Sequence, residues 1–185
     1  MVSKIVKKAF RAILHYDLYW IYRAEDSSPE VPVPLGVAIA PVDAVEVKAA
    51  PHAEVNRHSG CGGTESAGFG AWADDRLVAV CWFQWGDRYR ERGNVWPIGS
   101  NAAKLVQIST EPGFRGRGIA PALITASVQA MRNRGFVEVY ARIWHSNRAS
   151  QQAFQKCGWQ RVAFVVRIWG LPVHFKWPVG LPAAR

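Results

Sequence analysis

Cysteine is scarce in this 185-residue chain: Cys61, Cys81 and Cys157 are the only three, and no two form a C-x-x-C pair. An odd, scattered set excludes a disulfide framework and a cysteine-rich zinc site, so no metal is expected and a reducing cytoplasm is the simplest setting. No uninterrupted apolar run of about 18 residues occurs, so no apolar spanning helix is expected. The basic start is not followed by an apolar core of the kind a signal peptide needs. Internal repeats and low-complexity tracts are missing. So is G-x-x-x-x-G-K-[ST], the P-loop signature. Acidic side chains are outnumbered, 14 Asp and Glu against 23 Lys and Arg, for a formal charge of +9. That surplus favours anionic partners: a phosphate-rich cofactor, nucleic acid or a membrane surface.

What is present reads as one soluble α/β domain with an N-terminal arm. Apolar residues make up 49% of the chain and charged residues 20%, enough for a full core. Nine tryptophans suit a core, a pocket wall or a lipid interface. In residues 3–24, Ile5, Val6, Ala9, Ile13, Leu14, Leu18 and Ile21 recur at helical spacing, and Lys4, Lys7, Lys8 and Arg11 charge the first turns. This predicts a basic amphipathic helix, able to pack on the domain, on a partner or on an anionic bilayer. Residues 25–36, rich in Pro and Ser, read as a linker. The expected division is therefore 1–34 for helix and linker and 35–185 for the domain.

Within the domain, strands are expected over 36–41, 67–72 and 76–85, the last two forming a hairpin about Ala73-Asp74-Asp75. A short helix over 42–50 and loops over 51–66 and 86–101 accompany them. The second half alternates regularly: strand 104–110, glycine-bearing turn, helix to Gly135, strand 136–144, helix to Gly158, strand 159–169 and a further strand near 173–177. Alternation that ends in strands implies a mixed sheet.

Residues 114–120, FRGRGIA, put Gly116 and Gly118 where a helix begins. Glycine costs about 1 kcal/mol relative to alanine inside a helix, so backbone access must matter there. The first helical turn has unpaired N–H groups and the positive end of the dipole, and glycine lets an anion approach them. Arg115 and Arg117 add charge. The physics points to a phosphate or pyrophosphate seat. The spacing and late position differ from G-x-G-x-x-G of dinucleotide-binding folds.

Arg115-Gly116-Arg117-Gly118-Ile119-Ala120 resembles the R/Q-x-x-G-x-G/A motif of the GNAT superfamily, the Gcn5-related N-acyltransferases. Asn147-Arg148-Ala149-Ser150 with Phe154-Gln155-Lys156-Cys157-Gly158-Trp159 resembles the family's N-x-x-A/S…Y-x-K-x-G-F segment. The resemblance implies a mostly antiparallel central sheet flanked by helices, and acetyl-CoA or another acyl-CoA as co-substrate. It implies that amides along Arg115–Ala120 hold the pyrophosphate. Ile108, Ser109 and Thr110 would pair by backbone with the pantetheine arm, and Asn147, Ser150 and Phe154 would line the other side. Strands 104–110 and 137–144 would splay around the thioester. The implied reaction is direct attack of an acceptor amine on the thioester carbonyl.

Two positions depart from the family pattern. The tyrosine that often protonates the leaving thiolate is replaced by Phe154, which has no proton to give. A glutamate found in some relatives is replaced by Arg142, an acceptor-side candidate able to grip a carboxylate or phosphate. That leaves His145 and Glu111 as the candidates for general base. The preferred acceptor is an amine on a small molecule, a sugar or a lipid-linked compound; a protein amine comes second. Alternatives are a non-catalytic CoA-binding or partner-binding module of the same fold, and an aminoacyl-tRNA-dependent transferase. The compact R-x-x-G-x-A turn argues against the last, and the arginine-rich loop near Asp87–Glu91, with acids among its bases, argues against nucleic acid. A cytoplasmic setting, with membrane contact through residues 3–24, completes the expectation.

Overall fold

The computed structural model describes residues 16–26, 29–91, 96–168 and 174–178. Among these residues eight strands form one sheet: β1 (Tyr16–Arg23), β2 (Val37–Val42), β3 (Ser66–Ala73), β4 (Arg76–Gln84), β5 (Ala102–Thr110), β6 (Glu138–Trp144), β7 (Gln160–Ile168) and β8 (His174–Pro178). Their order across the sheet is β2-β3-β4-β5-β6-β1-β7-β8. Only β5 and β6 run parallel; every other neighbouring pair is antiparallel. The helices are α1 (Ala44–Ala49), α2 (Ala53–Asn56), α3 (Gly86–Glu91), α4 (Ile119–Asn133) and α5 (Arg148–Lys156).

The β3–β4 hairpin turns on Asp74 and Asp75, both at positive φ (49° and 57°). Two such residues match the right-handed twist of the flanking strands. One sheet face carries α4 and α5 over a core that includes Phe69, Phe83, Leu123, Ile124, Met131 and Phe154. The other carries α1 and α2, whose Val47 and Val55 pack with Leu77, Val80 and Trp82. Helix α1 opens with a capping box between Asp43 and Glu46, which satisfies its first N–H groups. The two longer helices stop at glycines with φ near +94° (Gly135) and +75° (Gly158). The loop expected over 51–66 contains α2, and that over 86–101 contains α3.

One expectation is corrected. The helix predicted over 3–24 is a strand from Tyr16 to Arg23, inserted between β6 and β7. Ile21 and Tyr22 are buried on opposite faces of the sheet, in different clusters. A strand covered on both faces shows no polar alternation, so its apolar run mimics a helical stripe. Its composition, YDLYWIYR, is rich in residues that favour strands. These residues therefore belong to the sheet and not to an arm; residues 3–15 lie outside the described residues.

The parallel pair parts midway. β5 and β6 are in register only over Ala102–Leu105 and Glu138–Ala141. Opposite β4, Phe83 faces Leu105 while Trp82 faces Gln107, so Val106 is an extra residue, a bulge. Beyond it β5 stays with β4 through Ile108, Ser109 and Thr110, while β6 stays with β1 through Arg142, Ile143 and Trp144. The splay expected between these strands is present.

Because Ile21 is 1% exposed and sits in an interior strand, Ile21→Ala should cost about 2–5 kcal/mol in urea unfolding. A loss below about 0.5 kcal/mol, the scale of a surface change, would mean that β1 lies outside the cooperative unit.

Candidate active site

The parted strands and the start of α4 border a cleft of about 610 Å³. It is lined by the β5 end (Gln107–Thr110), by Arg115, Gly116, Gly118, Ile119 and Ala120, and by Asn147, Ser150 and Phe154. A second hollow of about 230 Å³ occupies the gap between β5 and β6, walled by Tyr19, Arg142 and Trp144. The two share Gln107, Ile108, Asn147, Ser150 and Phe154, so they meet at the point of parting. Of the residues expected to hold a cofactor, all but Arg117 line the cleft.

Gly116 and Gly118 have φ of 78° and 80°. Neither would meet a close obstacle if it gained a Cβ; for Gly118 the nearest atom is Pro34 Cγ at 3.8 Å. The glycines thus serve backbone shape, a left-handed turn that L side chains resist. Gly118 is the N-cap of α4 and supplies no side-chain cap. The first helical bond runs from the Ala122 N–H to the Gly118 carbonyl at 3.2 Å. The Ile119 and Ala120 N–H groups precede it, and Pro121 has none to satisfy. An open, uncapped, positively polarised helix end beside arginines fits a diphosphate.

The arginines differ in role. Arg115 Nε donates to the Thr110 carbonyl at 3.0 Å and Nη2 to Glu54 at 3.2 Å, fixing the turn against the β5 end and α2. Arg117 lies over the Phe114 ring at 4.9 Å and does not line the cleft. Asn147 caps α5: its Oδ1 accepts from the Ser150 N–H at 3.1 Å, which leaves its NH₂ for a ligand. Phe154 is 2% exposed and packs edge-on against Trp159, forming an apolar floor.

Both candidates for general base stand apart from these hollows. Both Glu111 oxygens accept from Arg76 Nη2, at 2.7 and 2.8 Å, which holds that carboxylate in an ion pair. His145 Nδ1 lies 3.4 Å from the Leu18 carbonyl at the edge of β1. Neither lines the cleft or the gap. Arg142 does line the gap, with its guanidinium 4.5 Å from the Tyr19 ring centroid.

Several groups escaped the sequence reading. Tyr19 lines the gap from β1, with Trp144 edge-on at 4.9 Å. Burial, chiefly, and a hydrogen bond with Asp17 raise its phenol above the ordinary value, which keeps the proton on it. Reading this segment as helix hid it. Lys104 is 3% exposed in β5, its Nζ 3.5 Å from the Tyr89 hydroxyl and 5.0 Å from that ring's centroid. Burial and the Arg142 charge lower its ammonium to about 7, and burial pushes Tyr89 up to about 12. The Tyr89 hydroxyl donates to the Trp96 carbonyl at 2.5 Å. A lone lysine between Ala103 and Leu105 in an apolar strand was the available signal. Across the gap mouth, Gln107 Nε2 is 3.3 Å from His58 Nε2, and burial, then Arg57, lowers the His58 pKa.

A model of the Acetyltransferase (GNAT) family matches residues 17–159. Among solved structures the chain is similar to a GNAT-family protein from Novosphingobium aromaticivorans DSM 12444, with TM-score 0.57 and 19% identity over 83% of this chain and 63% of that one. A GNAT-family acetyltransferase from Colwellia psychrerythraea gives TM-score 0.60 and 15% identity over 90% and 62%. A GCN5-related N-acetyltransferase from Sphaerobacter thermophilus gives 0.53 and 16% over 90% and 57%. The chain thus spans about three fifths of the length of these structures, and at such identities they speak to the fold alone. No curated protein matches. The family match begins at Asp17, within β1, and takes in the glycine turn, the parted strands and the Asn147 cap; the chain belongs to the GNAT acetyltransferase family.

Proposed function

We propose that this chain is an acyl-CoA-dependent N-acyltransferase of the cytoplasm. It moves an acetyl group from acetyl-CoA to the amine of a small-molecule, sugar or lipid-linked acceptor. The observation that carries this reading is the junction of cleft and gap beneath an uncapped helix end. A long ligand with a diphosphate would sit at Gly116–Ala120 and run along the unpaired edge of Ile108–Thr110, bonded main chain to main chain. Its thioester would then face the gap, where an acceptor enters from the Arg142 side.

In the reaction the deprotonated amine adds its lone pair to the thioester carbonyl. The C–S bond then breaks, the sulfur leaves as thiolate and takes a proton from an acid, and the nitrogen's extra proton passes to solvent, which restores that acid. Holding both reactants in line supplies several kcal/mol of the barrier lowering. The residues offered for proton transfer differ from those of the family pattern. Phe154 contributes none, whereas the Tyr19 phenol lines the gap next to the junction, with its proton retained and Asp17 beside it. Tyr19 is the acid for the thiolate in this reading. Tyr19→Phe should lower kcat by about tenfold or more while leaving CoA affinity unchanged; an unaltered kcat would remove Tyr19 from the chemistry.

One observation favours a second reading, a CoA-binding module without turnover: the apolar, proton-free Phe154 at the floor of the junction. The two readings part on thiol release. Both expect CoA, but not AMP, to raise the melting temperature; at 100 times Kd the stabilisation is about 2.7 kcal/mol. Only the transferase releases free thiol from acetyl-CoA across an amine panel.

Gly118→Asp should abolish CoA binding in calorimetry by setting a carboxylate against the diphosphate and straining the left-handed N-cap. Gly118→Ala should weaken binding less, with a stability loss of about 1 kcal/mol. Normal CoA affinity in a folded Gly118→Asp protein would move the phosphate seat elsewhere.

A further inference from the structure

The acceptor side of the gap carries more positive charge than an amine substrate calls for. Arg142 is exposed at its wall and makes no ion pair among the described residues; its guanidinium rests on the Tyr19 ring. On the same sheet face, one rung deeper, Lys104 stands opposite Tyr140, and Arg142 is two residues further along β6. Lys104 is buried with a phenol, not a carboxylate, as its neighbour. Burying an ammonium without a counter-charge is costly, and a second cation nearby adds to the cost. In the free protein Lys104 meets that cost by giving up its proton more readily, and an anion bound nearby would restore its charge.

The groups around Lys104 come from three elements. Gln84 of β4 and Tyr140 of β6 are its strand partners, Tyr89 comes from α3, and Arg142 is the charge acting on it. Among the described residues the strands put two carboxylates on this face, and both are engaged: Glu138 accepts from the Tyr140 hydroxyl at 2.9 Å, and Asp17 of β1 is hydrogen-bonded with Tyr19. Helix α3 adds Asp87, which accepts from Arg90 Nε at 3.0 Å, and the exposed Glu91. None of these forms an ion pair with Lys104 or Arg142 among the described residues.

We propose that the acceptor is an amine that also carries a carboxylate or phosphate group, which Arg142 grips directly while Lys104, behind it, acts as a positioning charge. This inference rests on the transferase reading, because it assigns the acceptor of that same site. Guanidinium is well shaped for this, since its planar fork binds a carboxylate or phosphate in two-point fashion and holds the amine end toward the junction. A dicationic amine would meet repulsion at the same wall.

The sign of the pH dependence follows. An anion beside Lys104 favours the protonated ammonium, which exists in the free protein below about pH 7. Binding therefore takes up a proton, and affinity falls as pH rises through and above neutrality. The fall begins near the free-protein value of about 7 and ends at the higher value that Lys104 takes beside the bound anion.

The test is isothermal titration of matched amines into the full chain, with and without saturating CoA, from pH 6 to 8.5. The probes are β-alanine, 2-aminoethyl phosphate, ethylamine and 1,4-diaminobutane. β-Alanine has no group of its own that titrates in this range. The two anionic amines should bind about tenfold or more tighter than the others. Arg142→Met should erase that preference. Lys104→Met should leave β-alanine binding weak and flat with pH, where the natural chain shows a decline. Equal or better binding of ethylamine or diaminobutane overturns the proposal, as does failure of both anionic amines at millimolar concentration. An unchanged pH slope in Lys104→Met removes Lys104 from it. Absence of CoA binding in the same cell is a failure of the transferase reading and not of this one.

Discussion

The backbone hydrogen bonds of β5 and β6 must be satisfied by different partners on either side of Val106. Before it the two strands serve each other; after it β5 is served by β4 and β6 by β1. A main-chain edge left without a strand partner inside a sheet has to find bonds elsewhere. Here part of that need is met locally, as when Arg115 donates to the Thr110 carbonyl. The rest faces the hollow, where an extended ligand can act as a partial strand. The bulge at Val106 shifts β5 by one residue, which sets which side chains face the gap. β1 pairs with β6 on its far edge over the stretch where β6 has left β5. The site is therefore a consequence of sheet topology, and the inserted N-terminal strand is part of its frame.

Two electrical features lie on opposite sides of this opening. On the α4 side, the left-handed glycines bare amide N–H groups at a helix start. On the α3 side, Arg142 and buried Lys104 place positive charge at and behind the wall of the gap. Between them Phe154 keeps the floor apolar. A low-dielectric floor strengthens electrostatic interactions at the junction. Phe154 has no proton to give, whereas Tyr19 at the gap wall keeps one.

Much of this was legible in the sequence. The FRGRGIA stretch marked a helix start opened by left-handed glycines, and the second motif, from Asn147 to Trp159, placed α5 and its cap. The hairpin and the alternation of the second half were readable because turn residues and period agree there. β1 was not readable: it is covered on both faces, and its apolar spacing satisfies a helical template over the same residues. Its pairing with β6 and β7, more than 100 residues away, is long-range and leaves no local mark. Missing β1 hid Tyr19 and Asp17. Lys104 left a visible trace, a charge in an apolar strand, but only burial shows that it lacks a carboxylate. Glu111 read as a candidate base until its ion pair with Arg76 appeared, a contact with β4 that spacing does not reveal.

Hydrogen–deuterium exchange with and without CoA is the sharpest check, because it reports individual stretches of backbone. If the parted strands and the glycine turn hold one ligand, CoA should bring new protection of amides over 107–110 and 116–120, at the unpaired β5 edge and the α4 start. Little should change in the β2–β3 region, which lies away from the cleft. CoA binding that protects neither stretch would refute the site, and the parting of β5 from β6 would then be a feature of the fold alone.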